Sequence, residues 1–329
     1  MEFTTEIKKA TDPIYQKISK AVPEIEWSTH APYIYKINQL KKEKNAVILA
    51  HNYQTPEIYH GISDFSADSL ALAVEAAKTK ADIIVMCGVH FMAETAKLMS
   101  PEKKVLLPDM RAGCSLSSSI TGEDVRNLKK QNLGVPVVSY INTSADVKAE
   151  TDVCCTSANA VKIINSLKVK KVIFLPDDYL AKYVASQTDV EIISWKGTCE
   201  VHEQFNDEEI NEIRKNNPGI KIIAHPECPP DVINASDFAG STSGMIKYVK
   251  DNQPEKVMMV TECSMSDNVQ VDNPNVQFIR PCNLCPHMKR ITLPKILDCL
   301  ENETNEILMS DETINKARKS VERMTEIGR

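Results

Sequence analysis

Several things are missing from this sequence, and each absence removes a class of function. No apolar run approaches the ~20 residues needed to span a bilayer; stretches such as 46–50, 172–175 and 257–260 are the length of a strand. The first residues, Met-Glu-Phe-Thr-Thr-Glu-Ile-Lys-Lys, contain no apolar core of an export signal, so a cytoplasmic protein with no membrane role is expected. Positive charge is not in excess: 39 Lys and Arg face 45 Asp and Glu, giving a net charge of −6. The one dense basic cluster, Lys41-Lys42-Glu43-Lys44, is broken by an acid and reads as a solvated helix end. A nucleic-acid partner is therefore not expected. Glycine is scarce, 10 in 329 residues, and neither G-x-G-x-x-G nor the P-loop pattern occurs, which removes the usual phosphate-cradling loops. No C-x-x-x-C-x-x-C marks radical chemistry on S-adenosylmethionine. No linker rich in Gly, Pro or Ser separates tethered domains.

Cysteine, by contrast, is plentiful, with ten in the chain. Disulfide frameworks belong to small exported domains, so most of these cysteines are expected to be small buried hydrophobes. An internal repeat singles out three of them. An apolar strand ending in polar residues occurs as Ala46-Val-Ile-Leu-Ala-His51-Asn-Tyr53, as Val135-Pro-Val-Val-Ser-Tyr140-Ile-Asn142 and as Ile220-Lys-Ile-Ile-Ala-His225-Pro-Glu227. Each copy continues into an acidic, hydroxyl-rich segment opening a helix (Asp64 to Ser69, Asp152 to Ser157, Asp237 to Thr242) and then into two further strands. Just past the last strand of each copy stand Cys114, Cys199 and Cys285, 85 and 86 residues apart; the other seven cysteines do not share the period.

Continuous apolar strands alternating with helices predict short parallel sheets covered on both faces. The expectation is an α/β protein of three homologous three-layer α/β/α domains related by a pseudo-threefold axis, with boundaries at 1–115, 116–201 and 202–329. Helical flanks, roughly 5–44 and 294–329, belong to the first and third of these. Right-handed crossovers bring the carboxyl ends of the strands to one edge of each sheet, where ligands bind in open α/β folds. His51, Tyr53, Tyr140, Asn142, His225 and Glu227 all fall at such ends.

Three thiolates, one per repeat, would hold an iron–sulfur cluster with one iron lacking a protein ligand, an open position suited to Lewis-acid chemistry. The same spacing also suits core cysteines inherited from a triplication. Cys282-Asn-Leu-Cys285 leaves a zinc or redox pair open, although no second CxxC accompanies it. Ser69, Ser157 and Thr242 stand where a helix N-terminus would bind a phosphate or carboxylate, and where Ser and Thr equally serve as caps. His225 and Glu227 are general acid–base candidates, with Tyr53 in the equivalent place of the first copy. His202, three residues past Cys199, is placed to orient a substrate, while His90 and His287 have no clear part. Lys97 reads as a helix-surface charge, and Met92, Met99, Met258, Met259 and Met265 as core packing.

Taken together, Ala50-His-Asn-Tyr-Gln54, Ala67-Asp-Ser-Leu70, Gly88-Val-His-Phe-Met-Ala-Glu-Thr-Ala-Lys97, Ala112-Gly-Cys-Ser115, Tyr140-Ile-Asn-Thr-Ser144, Cys155-Thr-Ser-Ala-Asn159, His225-Pro-Glu227, Gly240-Ser-Thr-Ser243 and Cys285-Pro-His-Met288 resemble the A-type quinolinate synthase family over residues 31–300. The resemblance implies a cytoplasmic transferase of NAD biosynthesis. Such an enzyme condenses iminoaspartate with dihydroxyacetone phosphate on a [4Fe–4S] cluster, losing phosphate and two waters. It implies Cys114, Cys199 and Cys285 as cluster ligands. It implies His51, Ser69, Tyr140, Asn142, Ser157, His225, Glu227 and Thr242 as substrate contacts, and Tyr53, His225 and Glu227 as catalytic residues. An aspartate oxidase or dehydrogenase would supply the iminoaspartate. Some relatives carry CxxCxxC ahead of the final Pro-x-Met; here Ile279 replaces the first of these cysteines, so a disulfide between the two upstream cysteines is not available. A hydro-lyase with an open-iron cluster and a zinc-stabilised, non-catalytic protein are the competing readings.

Overall fold

The structure is a computed structural model that describes residues 1–280 and 283–328. Twelve strands among the described residues form three four-stranded sheets. The first contains β1 (Ala46–His51), β2 (Phe65–Ala67), β3 (Ile83–Cys87) and β4 (Lys104–Leu106). The second contains β5 (Val137–Tyr140), β6 (Val153–Cys155), β7 (Lys171–Leu175) and β8 (Glu191–Ser194). The third contains β9 (Lys221–Ala224), β10 (Phe238–Ala239), β11 (Lys256–Val260) and β12 (Gln277–Ile279). Strand order is the same in all three: β2-β1-β3-β4, β6-β5-β7-β8 and β10-β9-β11-β12. The pairing is parallel. The central strands are almost wholly buried, as expected of sheets with helices on both faces. The α/β class with three short parallel sheets is therefore the fold this chain adopts.

Each sheet holds one strand more than the apolar runs predicted. β2, β6 and β10 are only two or three residues long and lie within the segments read as helix openings. An aspartate fastens each of them. The carboxylates of Asp64, Asp152 and Asp237 accept the backbone N–H of Ile48, Val137 and Ile222 at 2.8, 2.7 and 2.8 Å. The backbone N–H of each aspartate donates to the carbonyl of the same residue. One side chain thus closes a two-point clamp onto the neighbouring strand, in place of the apolar length that normally signals pairing.

The chain forms two compact units. One comprises Met1–Ala112, Glu262–Gln277 and Leu284–Ile307, and carries the first sheet, the N-terminal helices Thr5–Ile18 and Glu24–Glu43, and helices Cys263–Asp272 and Leu293–Asn302. The other comprises Gly113–Thr261, Phe278–Asn283 and Leu308–Arg329, and carries most of the second and third repeats and helix Asp311–Gly328. Both flanks are helical, as predicted.

Two lysines read as surface charges are buried instead. Lys41 lies on the inward stripe of its helix with Ile34 and Ile37, and its ammonium donates to the Ile62 carbonyl at 2.5 Å and to Asp64 at 2.8 Å. Lys97 belongs to helix His90–Met99, which is buried nearly all round, and its ammonium reaches the Lys103 carbonyl at 2.7 Å. The five methionines read as core residues are all buried.

Candidate active site

In the second unit, side chains from the ends of β5 and β9 meet in a buried polar cluster. Glu227, two residues past the His225 that follows β9, accepts a hydrogen bond from the Tyr140 hydroxyl at 2.5 Å through Oε1, and its Oε2 lies 2.9 Å from His202 Nδ1. Burial opposes ionisation of Glu227. The His225 and His202 imidazoles and the Tyr140 hydroxyl outweigh it, so the carboxyl is held well below its usual range. His225 Nδ1 accepts the backbone N–H of Glu227 at 3.3 Å. That acceptor role puts the imidazole proton on Nε2, 3.2 Å from Ser157 Oγ. Burial brings the His225 pKa down to about 4, so the ring is neutral near pH 7. The His202 and His225 rings stack with centroids 4.8 Å apart. Asn142 is half-buried on the turn after β5.

The first unit repeats the local turn. His51 Nδ1 accepts the Tyr53 backbone N–H at 3.2 Å, the same i to i+2 bond that His225 makes with Glu227, and the two rings meet edge to face at 4.6 Å. Tyr53 is thus the positional counterpart of Glu227. Helix Cys263–Asp272 secures this turn, because Asn268 donates to the carbonyls of Asn52 and Gln54 at 3.2 and 2.7 Å.

The cysteines divide by exposure. Cys87, Cys154, Cys155, Cys228, Cys263 and Cys299 are buried, as expected of core thiols, whereas Cys114, Cys199 and Cys285 are partly exposed. Cys282 lies outside the described residues. A cofactor reaches partly exposed residues without displacing the core, and soft sulfur donors suit an iron–sulfur group. In the second unit, the Cys114 and Cys199 segments are laced by one hydroxyl. Ser115 Oγ donates to the Thr198 carbonyl and accepts the Glu200 N–H, both at 3.1 Å, so it grips Cys199 from either side. Gly197 is required in this turn, since a Cβ there would stand 2.5 Å from the Pro176 carbonyl oxygen. Burial, reinforced by Glu227 and Cys114, pushes the Cys199 thiol well above its ordinary pKa. In the first unit, the Cys285 N–H points at Glu262 Oε1, 3.4 Å away.

The three hydroxyls expected at helix openings are not the caps. Asp68 caps helix Ser69–Lys78, accepting the Ala71 N–H at 2.9 Å, and Ser241 caps Thr242–Asn252, accepting the Gly244 N–H at 3.2 Å. Ser69 and Thr242 occupy the first helical position instead. In the second copy the helix starts only at Ala160, so Ser157 stands ahead of it and turns to His225.

Several residues that shape the site carry no signal in the sequence. Lys148 is fully buried, and its ammonium donates to the carbonyls of Ile141, at 2.9 Å, and Thr143, on either side of Asn142. Lys148→Met strips both carbonyls of a charged donor and is expected to cost about 2 to 3 kcal/mol, read as a lower urea midpoint at unchanged slope. Thr261 bonds His202 Nε2 at 2.9 Å. Lys289 donates to the Tyr53 carbonyl at 2.8 Å and to Ser264 Oγ at 2.7 Å, and pairs with Glu262 at 2.9 Å. The Thr261 and Lys289 links join residues from 25 to 236 positions apart.

Comparison with known proteins bears on this arrangement. A sequence model of the family described as Quinolinate synthetase A protein matches residues 35–326. A quinolinate synthase of Sinorhizobium fredii is 58% identical over 327 residues, covering 99% of this chain and 91% of the relative. One from Caulobacter vibrioides is 55% identical over 329 residues, covering 99% and 90%. One from Xylella fastidiosa is 57% identical over 291 residues, covering 88% and 86%.

Proposed function

The chain belongs to the Quinolinate synthetase A protein family, and from that premise we propose that it condenses iminoaspartate with dihydroxyacetone phosphate to quinolinate, releasing phosphate and two waters. The observation that carries the reading is the buried Glu227, with Tyr140 and His202 on its two oxygens and the neutral His225 beside it. Forming the pyridine ring requires removing protons from carbon and delivering them to departing oxygens. An ionised carboxylate bonded to a phenol gives an acceptor and a donor in one place. Glu227 takes a proton and Tyr140 or the His225 Nε2–H returns one; Tyr53 is the corresponding donor of the first unit, alongside His51. Ser69, Asn142, Ser157 and Thr242 bind the carboxylates and phosphate through hydroxyl, amide and helix N-terminal N–H groups.

Cys114, Cys199 and Cys285 hold a [4Fe–4S] cluster, one thiolate each. When bound, that group supplies Lewis acidity at an iron with no protein ligand. The repeat boundaries at 1–115, 116–201 and 202–329 give each domain one such cysteine. Thiolate ligands need a reducing compartment, so a cytoplasmic location goes with this reading. No described helix is long and apolar enough to cross a membrane. An aspartate oxidase or dehydrogenase supplies the iminoaspartate.

Anaerobic incubation of the reconstituted protein with iminoaspartate and dihydroxyacetone phosphate is expected to yield quinolinate; a brown, iron-loaded protein yielding none ends the proposal. Glu227→Gln keeps the shape of the side chain and removes its basicity. It is expected to slow product formation about 100-fold at unchanged iron and sulfide content, and unchanged turnover would remove Glu227 from the chemistry.

A further inference from the structure

Three metal-binding side chains, of which only Cys199 belongs to the proposed cluster set, converge in the second unit. Cys199 Sγ lies 3.1 Å from His202 Nδ1, His202 Nδ1 lies 2.9 Å from Glu227 Oε2, and all three donor atoms fall within 4.8 Å of one another. We propose that Cys199, His202 and Glu227 form a mononuclear site for a divalent cation of zinc-like character (Zn2+, or Fe2+ in the reduced cell), available when no cluster is present.

Donor spacing suits such an ion. Bonds of ~2.3 Å to sulfur and ~2.0 to 2.2 Å to nitrogen and oxygen, arranged tetrahedrally, separate sulfur from nitrogen by about 3.5 Å and nitrogen from oxygen by about 3.3 Å. The observed pairs open by only a few tenths of an ångström to admit it. Charge also balances, because a thiolate and a carboxylate neutralise a dication around a neutral imidazole, and binding releases the thiol proton to water.

Each buried ligand already has an outer partner. Thr261 Oγ1 is 2.9 Å from His202 Nε2, and a hydroxyl accepts or donates as required. When the metal takes the Nδ1 lone pair, the proton on Nε2 is donated to Thr261 without moving the ring. The Tyr140 hydroxyl holds Glu227 Oε1, leaving Oε2 for the ion. Such outer bonds orient metal ligands. His202 and Glu227 are 1% and 4% exposed and Cys199 is partly exposed, so the Cys199 residue marks the side nearest solvent, from which an ion would enter.

This site shares only Cys199 with the proposed cluster, so the two occupants exclude each other and zinc-loaded chain is blocked for cluster assembly. The test uses the full chain, stripped of metal anaerobically and titrated with Co2+ as the probe. One equivalent is expected to bind with sulfur-to-cobalt charge transfer and tetrahedral visible bands, and Zn2+ should erase both. Cys199→Ala abolishes the charge-transfer band, and His202→Gln and Glu227→Gln each weaken binding at least tenfold. Thr261→Val, which removes no ligand, weakens it about tenfold. Cys114→Ala and Cys285→Ala leave spectrum and affinity unchanged, the reverse of the pattern expected for iron and sulfide loading, so this site and the cluster assignment are judged separately. The proposal is overturned if Cys114→Ala or Cys285→Ala removes the signal, or if His202→Gln and Glu227→Gln, folded by circular dichroism, bind as the parent does.

Discussion

Cys114→Ala, Cys199→Ala and Cys285→Ala, made singly, are each expected to yield a folded chain with background iron and sulfide and no detectable quinolinate. Cys154→Ala, Cys263→Ala and Cys299→Ala should retain both. The contrast follows from exposure: the second set is buried in the core and the first is not. Removing a core thiol costs about 1 kcal/mol of packing and leaves the chemistry untouched. If the three cysteines hold the cluster as proposed, loss of any one would leave an iron with a second open position, and the cluster would be lost. Iron and sulfide analysis with anaerobic turnover decides the matter residue by residue. Full activity in any of the first three would strike that cysteine from the ligand set.

Lys289→Met is expected to cost about 3 to 5 kcal/mol, the range for breaking a buried ion pair by deleting one partner. The Glu262 side chain is 0% exposed, and Lys289 is its cation. Without the ammonium, the carboxylate is stranded and the Tyr53 carbonyl and Ser264 hydroxyl lose a charged donor. Lys289→Met/Glu262→Gln removes the stranded charge and should recover part of the loss, so the two substitutions are strongly non-additive. Urea-unfolding midpoints of the four proteins measure that coupling. If Lys289→Met unfolds at the parental midpoint, the pair contributes nothing to stability.

The parts of the fold visible in the sequence are those in which burial is encoded locally. The central strands read as apolar runs because both faces are covered, and polar residues at their ends marked His51, Tyr140, His225 and Glu227 without any knowledge of their partners. The short edge strands β2, β6 and β10 escaped notice because Asp64, Asp152 and Asp237 replace apolar length with a side-chain bond. Caps went to Asp68 and Ser241 rather than to Ser69 and Thr242, a difference of one residue that only backbone geometry decides. Lys41 and Lys97 look like surface charges until their helices are oriented. The pairing of Tyr140 with Glu227 joins residues 87 apart, and that of Lys289 with the Tyr53 carbonyl joins residues 236 apart. No local pattern carries such links.

The discontinuous make-up of the first unit has a consequence for biosynthesis. Its opening 112 residues reach the ribosome exit long before Glu262–Gln277 and Leu284–Ile307, which complete it. Asn268, whose amide fastens the Asn52 and Gln54 carbonyls, is translated more than 200 residues after them. The nascent N-terminal portion must therefore wait for the Asn268 bonds to its 52–54 turn until most of the polypeptide has been made. Closing so long a loop is a late and slow event in folding.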